Sequence, residues 1–161
     1  MVEAVIAWLA KMAGSAGWRQ VEGWLGRMGS GPIRITSPGE GQGLTGKVPD
    51  GESFTYLVRG KLKRLPKDSS IWLLVEDERT HCLWPQGAER VAPTDGEGSW
   101  TGRIHVGVGY SRVKILAVIA PPTSTDFFEY ACANGTKTGW SPLTRLPPEC
   151  KNVHPVTALV P

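Results

Sequence analysis

The hydrophobic period changes near residue 31, and this change constrains the fold more than any other feature of the sequence. Residues 1–30 carry apolar side chains at helical spacing, whereas residues 33–161 carry short alternating runs separated by Gly, Pro and Asp. A period near 3.6 indicates an amphipathic helix, and a period of two indicates a strand. We therefore expect a helical extension over residues 1–30, joined to a mainly β domain over residues 31–161.

The extension predicts two helical pieces, one before and one after the small-residue stretch Gly14–Gly17. Its large apolar side chains suit a groove or a helical bundle, so they predict an element that binds a protein partner or a second copy of the chain. The predicted contact residues are Trp8, Leu9, Trp18, Trp24 and Leu25. Two alternatives stay open: docking on the chain's own β domain, and an in-plane contact with a membrane surface, for which Lys and Arg are few.

Six alternating runs predict β-strands in the second part of the chain. They begin at Ile33, Phe54, Ile71, Trp100, Val113 and Val156. The run from Ile71 is apolar on both faces, which is typical of an interior strand, and most others fit a half-solvated sheet. Ser124–Asn134 predicts a short helix that Ser124 can cap. Many short strands with frequent turns favour an immunoglobulin-like antiparallel β-sandwich with a short N-terminal helical extension.

The order of packing and turn residues over residues 33–160 resembles bacterial immunoglobulin-like or fibronectin-like modules, which are often appended to other domains. The segments that carry the resemblance are Ile71–Val75, Leu83–Gln86, Asp95–Gly96, Gly98–Trp100, His105–Gly107, Leu146–Pro147 and the closing run from Val156. The resemblance implies an accessory binding or spacing module without catalytic residues. Residues 1–30 lie outside it.

One stretch imitates a nucleotide-binding motif. Gly41–Lys47 matches the GxxxxGK part of a phosphate-binding loop. However, Val48 stands where that loop needs a Ser or Thr for Mg²⁺, and Pro49 begins a turn where it needs a helix. We interpret the stretch as a Gly-rich connection between strands.

The remaining polar residues predict no catalytic, cofactor or metal site. His81, His105 and His154 lack metal-ligand spacing. The acidic run Glu76–Glu78 is most simply a solvated hairpin end. Trp84 and Trp140 could stack on a sugar, although core or edge packing is the simpler interpretation.

Composition narrows the partners and the compartment. The net charge is only +3, and Lys61, Lys63 and Arg64 form the one tight basic cluster, so we expect no nucleic-acid partner. Three cysteines and the lack of a signal-peptide pattern predict a cytoplasmic protein. The sequence therefore predicts a non-enzymatic interaction module that associates through residues 1–30. A peripheral membrane module is the alternative, and a carbohydrate-binding module, a hydrolase or another small-molecule site is less favoured.

Overall fold

Two antiparallel sheets make up most of the structure, a computed structural model that describes residues 31–86, 91, 93–94, 98–138, 142–150 and 152–161. Pro32–Pro161 forms one compact unit. The predicted helical pieces and contact residues of the extension lie outside the described residues. They are Trp8, Leu9, Trp18, Trp24 and Leu25.

Nine strands and one helix follow each other along the described chain. They are β1 (Ile33–Ser37), β2 (Thr45–Asp50), β3 (Ser53–Leu62), β4 (Ser70–Glu76), β5 (Leu83–Pro85), β6 (Pro93–Thr94), β7 (Ser99–Gly107), β8 (Arg112–Ala120), α1 (Pro122–Thr138) and β9 (Asn152–Leu159). Sheet I has the order β1-β3-β7-β6, and β2 pairs with the same edge of β3 as β1. Sheet II has the order β5-β4-β8-β9.

The larger hydrophobic core joins the inward-facing residues of both sheets. Tyr56 and Trp100 enter it from sheet I, and Ile71 and Ile115 enter it from sheet II. Each is at most 1% exposed, and burying a side chain of this size stabilises the fold by about 1.5–3 kcal/mol. Every second residue of β3 and β7 faces this core, which explains why apolar residues alternate along these two strands in the sequence.

A smaller core covers the other face of sheet II. Trp72 and Leu116 point outward from β4 and β8 and are buried under Phe128 of α1. The rings of Trp72 and Phe128 lie 5.2 Å apart between centroids, a distance that favours tilted aromatic packing. Sheet II is thus apolar on both faces because the helix covers the face that the larger core leaves free.

The six predicted strands correspond to β1, β3, β4, β7, β8 and β9, and the predicted helix at Ser124–Asn134 lies within α1. The mainly β fold class is confirmed. The helix that the structure describes follows eight strands, whereas the predicted extension precedes them all and lies outside the described residues. No helix in the described part of the chain is long and apolar enough to cross a membrane.

The stretch that imitates a phosphate-binding loop runs into an edge strand. Leu44 is buried in the larger core, and β2 begins at Thr45. All of β2 is exposed, so no alternation of apolar residues marked it in the sequence. A strand stands where a phosphate-binding loop needs a helix. Of the predicted connection, residues 41–44 join β1 to β2, whereas residues 45–47 already belong to β2, a strand that the sequence did not predict.

Candidate binding pocket

A pocket of about 580 Å³ opens where the ends of the two sheets meet. Ser53 at the start of β3 pairs with Gly107 at the end of β7. In sheet II, Glu76 at the end of β4 pairs with Lys114 near the start of β8. Residues next to these strand ends in both sheets line the same pocket. Ligand pockets in proteins commonly enclose about 300–1,000 Å³.

The floor of the pocket is apolar. Val75, Val106 and Val113 line it and are buried, and each also belongs to the larger core. Pro85 and the half-buried Trp84 of β5 form a wall. The pocket therefore has a rigid hydrophobic base, because the same valines that line it hold the two sheets together.

Gln86 connects the two sheets beside the pocket. Its backbone N–H donates to Leu73 O at 2.9 Å, and its side-chain Nε2 donates to Trp84 O at 3.0 Å. Its Oε1 accepts the backbone N–H of His105, which lies on β7 in the other sheet, at 2.7 Å. The side chain of Gln86 thus holds the backbone of Trp84 in place and accepts the hydrogen bond of a backbone N–H group of sheet I.

Asp77 supplies a buried carboxylate to the pocket, and its side chain is only 9% exposed. Its Oδ1 accepts the backbone N–H of Arg79 at 2.9 Å, and Tyr110 donates to Oδ2 at a long 3.5 Å. The hydrogen bond from Arg79 lowers the pKa of Asp77, with Arg79's charge acting in the same direction and burial opposing them. Asp77 is therefore ionised at neutral pH, and Thr80 also donates hydrogen bonds to its carboxylate.

The burial of Asp77 corrects the expectation that Glu76–Glu78 is a solvated hairpin end. Glu76 is only 12% exposed and pairs with Lys114 at 2.7 Å and His81 at 3.0 Å. The run stays close to the protein because β5 returns beside β4, and the backbone N–H of Asp77 donates to Cys82 O at 3.0 Å.

A second carboxylate lies at the rim. Asp50 ends β2, and its Oδ2 lies 3.0 Å from Nδ1 of His105. Thr55 approaches the same nitrogen at 3.4 Å. His105 lies on the outward-facing side of β7, so this imidazole stands beside the pocket rather than in its floor.

The arrangement provides binding groups more readily than catalytic ones. Nε2 of His105 makes no hydrogen bond with any described residue, so the Asp50–His105 pair has no adjacent nucleophile there. Burial raises the thiol pKa of Cys132 and Cys150, which keeps both protonated in the smaller core. Among the described residues no three His, Cys, Asp or Glu side chains could hold a metal ion together.

The sequence located part of this site. Trp84, a candidate for ligand stacking, lines the pocket, while Trp140 lies outside the described residues. The sequence placed Asp77 only in the acidic run Glu76–Glu78, taken as solvated, and Gln86 only in a packing segment, and it did not single out Tyr110. Each of the three lies at a strand end or in a turn, where alternation stops. A sequence signal exists only for the turns themselves, such as the Gly-rich segment before Tyr110.

Comparisons of this chain with protein-family models, with curated proteins and with solved structures found no match. The function is therefore argued from the geometry of the described residues, and the immunoglobulin-like resemblance stays a prediction.

Proposed function

We propose that this chain is a non-enzymatic binding module whose pocket accepts a small molecule or a partner's side chain. The group bound has an apolar body and a hydrogen-bond donor or positive charge at one end. One observation carries the proposal: an apolar floor of buried valines and two carboxylates, Asp50 and Asp77, line the same pocket. Ligand sites typically combine such apolar walls with a few placed polar groups.

The charges decide the polarity of the bound group. Ionised carboxylates accept hydrogen bonds and donate none, so they favour ammonium, guanidinium or hydroxyl groups and repel phosphates. Trp84 and Tyr110 add aromatic surface, which attracts cations as well as apolar rings. This polarity argues against a nucleotide phosphate in the pocket.

Two probes of matched size and opposite charge test the proposal. Phenethylamine carries an ammonium group on a phenyl body, and 3-phenylpropanoate carries a carboxylate. Binding to the full chain can be followed by the NMR shifts of the Trp84 indole and the Gly107 amide. Because a buried phenyl ring gains about 1.5–3 kcal/mol, we expect a Kd of about 6–80 mM for phenethylamine and weaker binding of the carboxylate.

Substitutions then test whether phenethylamine binds in the pocket or elsewhere on the surface. Asp50→Asn should weaken phenethylamine binding, whereas Asp126→Asn, on the exposed side of α1, should leave it unchanged. Preference for 3-phenylpropanoate, or equal effects of the two substitutions, would contradict the charge argument. No shift at these residues with either probe would reject the pocket as a binding site.

A carbohydrate is a second candidate, because Trp84 is a half-buried wall beside carboxylates that can accept sugar hydroxyls. In the same NMR experiment a methyl glycoside should then shift Trp84 more strongly than phenethylamine does.

The finer fold assignment is also a proposal. The strand orders β1-β3-β7-β6 and β5-β4-β8-β9 fit an immunoglobulin-like arrangement of two sheets, in which β5 is an added edge strand. Such a body would act as a rigid scaffold for the pocket.

Association through residues 1–30 remains a separate prediction. It follows from the helical spacing of its contact residues, Trp8, Leu9, Trp18, Trp24 and Leu25. Light scattering should give a larger mass for residues 1–161 than a monomer has, and a monomer for residues 31–161. Monomers in both cases, followed by binding of the full chain to liposomes, would favour the membrane-surface alternative.

A further inference from the structure

The outward face of sheet I carries four cations from three neighbouring strands. Arg34 lies on β1, Arg59 and Lys61 lie on β3, and Arg103 lies on β7, and all four are exposed. We call these four residues the basic face. The ladder places Arg34 directly opposite Lys61, and places Arg103 diagonally from Arg59, whose partner is Thr101.

None of these four cations forms an ion pair with a described carboxylate. The five ion pairs found among the described residues involve Arg79, His81, His105, Arg112 and Lys114. Two carboxylates lie near the face: Glu40 acts on the same imidazole as Arg34, that of His154, and Asp50 pairs with His105, two residues from Arg103 on the outward side of β7. The four positive charges of the face therefore outnumber the two described carboxylates beside it.

The register position of Arg34 opposite Lys61 is unfavourable for folding. Like charges directly opposite each other on neighbouring strands destabilise a sheet. Sheet II shows the complementary alternative, since Glu76 and Lys114 occupy opposite register positions and their charged atoms lie 2.7 Å apart. The like-charged pair Arg34–Lys61 therefore calls for a benefit outside the fold, and an anionic partner supplies one.

We propose that the basic face binds the phosphate backbone of double-stranded nucleic acid without sequence preference. Guanidinium and ammonium groups neutralise phosphates, and the hydroxyl of Thr101 beside them can donate to a phosphate oxygen. The topology creates this surface, because residues 34, 59 and 103 are far apart in the sequence. For that reason the sequence alone pointed away from a nucleic-acid partner.

The composition of the face favours a duplex over other anionic partners. Leu57 is the large apolar residue among the outward positions of β3, and it is half-buried, so little can insert into a lipid surface. No Phe, Tyr or Trp lies among the outward positions of β1, β3 and β7, and the imidazole of His105 pairs with Asp50, so this face lacks the row of stacking rings that single-strand binders use.

Fluorescence anisotropy of the full chain with a labelled DNA duplex tests the proposal across a salt series. Each neutralised phosphate contributes about 0.9 to the slope of log K against log salt, so four contacts predict a slope of about −3.6. Arg59→Ser with Arg103→Ser should reduce the slope to about −1.8. The control Lys67→Ser with Arg145→Ser removes the same charge at exposed positions off the face and should leave the slope unchanged.

The proposal would be overturned by no binding at low salt, by an equal loss in both double variants, or by tighter binding to vesicles of phosphatidylserine and phosphatidylcholine than to the duplex. Two duplexes of different sequence should bind equally, and a large difference between them would contradict backbone recognition. Circular dichroism of every variant ensures that binding is compared between folded proteins.

Discussion

Sheet I and sheet II use their faces differently. Sheet II is buried on both sides, by the larger core on one and by α1 on the other. Sheet I is buried on one side, and its other side presents Arg34, Arg59, Lys61 and Arg103 to solvent. Burial of both faces of sheet II stabilises the fold. The exposed face of sheet I and the pocket at the strand ends are the surfaces where the chain can bind a partner.

The covered face of sheet II offers the largest stability effect. Phe128→Ala should destabilise the protein by about 3–5 kcal/mol, because its ring is fully buried against Trp72 and its removal leaves a cavity. Chemical denaturation measures the free energy of unfolding. Phe127→Ala is the matched control, since the neighbouring ring is 45% exposed and should cost well under half as much. Equal losses in the two variants would mean that α1 does not close this face.

The inward face of sheet I should lose stability when atoms are added, whereas the covered face of sheet II loses stability when atoms are removed. A Cβ at Gly60 would overlap the ring of Trp100 and the carbonyl oxygen of Arg34, both of which press on this backbone. Gly60→Ala should therefore cost about 1–3 kcal/mol through overpacking. At Gly43 nothing lies within 4 Å of the added Cβ, so Gly43→Ala should be nearly neutral in the same unfolding assay. If Gly60→Ala leaves the free energy of unfolding unchanged, Trp100 and the backbone at Arg34 can shift to accommodate the added methyl group.

A smaller, pH-dependent effect links the two sheets. The imidazole of His154 on β9 accepts the backbone N–H of Ile35 on β1 through Nδ1 at 3.2 Å, which requires the unprotonated nitrogen. Burial lowers the pKa of His154 below its ordinary 6.5, Arg34 acts in the same direction and Glu40 opposes them. Because the folded pKa is lowered, the unfolded chain binds the proton more readily, and stability falls as pH drops below 6.5.

Unfolding measured from about pH 7 to about pH 5 should show this loss, and His154→Gln should reduce it. Glu76 and Asp77 also have lowered pKa values, so their contributions are lost only at more acid pH, below their ordinary 4.5 and 3.8. An unchanged pH profile in His154→Gln would assign the loss to other groups.

These contrasts explain which parts of the fold were predictable. Alternation marked β3 and β7 because every second side chain faces the larger core, and burial of that kind leaves a period of two. Apolar residues on both faces marked β4 and most of β8, because both faces of sheet II are buried. The edge strands β2, β5 and β6 left no such signal, since β2 is exposed and the other two span three and two residues.

The pocket and the basic face were harder to predict for a different reason. Asp50, Asp77 and Tyr110 come from three separate turns, and they meet only because two sheets end together. Arg34 and Lys61 become neighbours only through the pairing of β1 with β3. Strand register is a tertiary property, so a local pattern can indicate strands without indicating which charges will share a surface.

The smallest expected effect separates stability from binding in sheet I. Lys61→Glu converts the like-charged pair with Arg34 into the complementary kind that Glu76 and Lys114 form in sheet II. It should stabilise the fold by about 0.2–1 kcal/mol, since opposite charges on facing strand positions attract. The same change should weaken duplex binding, because it replaces one positive charge of the basic face with a negative one. Denaturation and anisotropy on this single variant measure both effects. A variant that is more stable and binds less well would mean that the repulsion across β1 and β3 is kept for the sake of a partner, whereas a loss of stability would mean that Arg34 and Lys61 are well accommodated by solvent and need no partner to explain them.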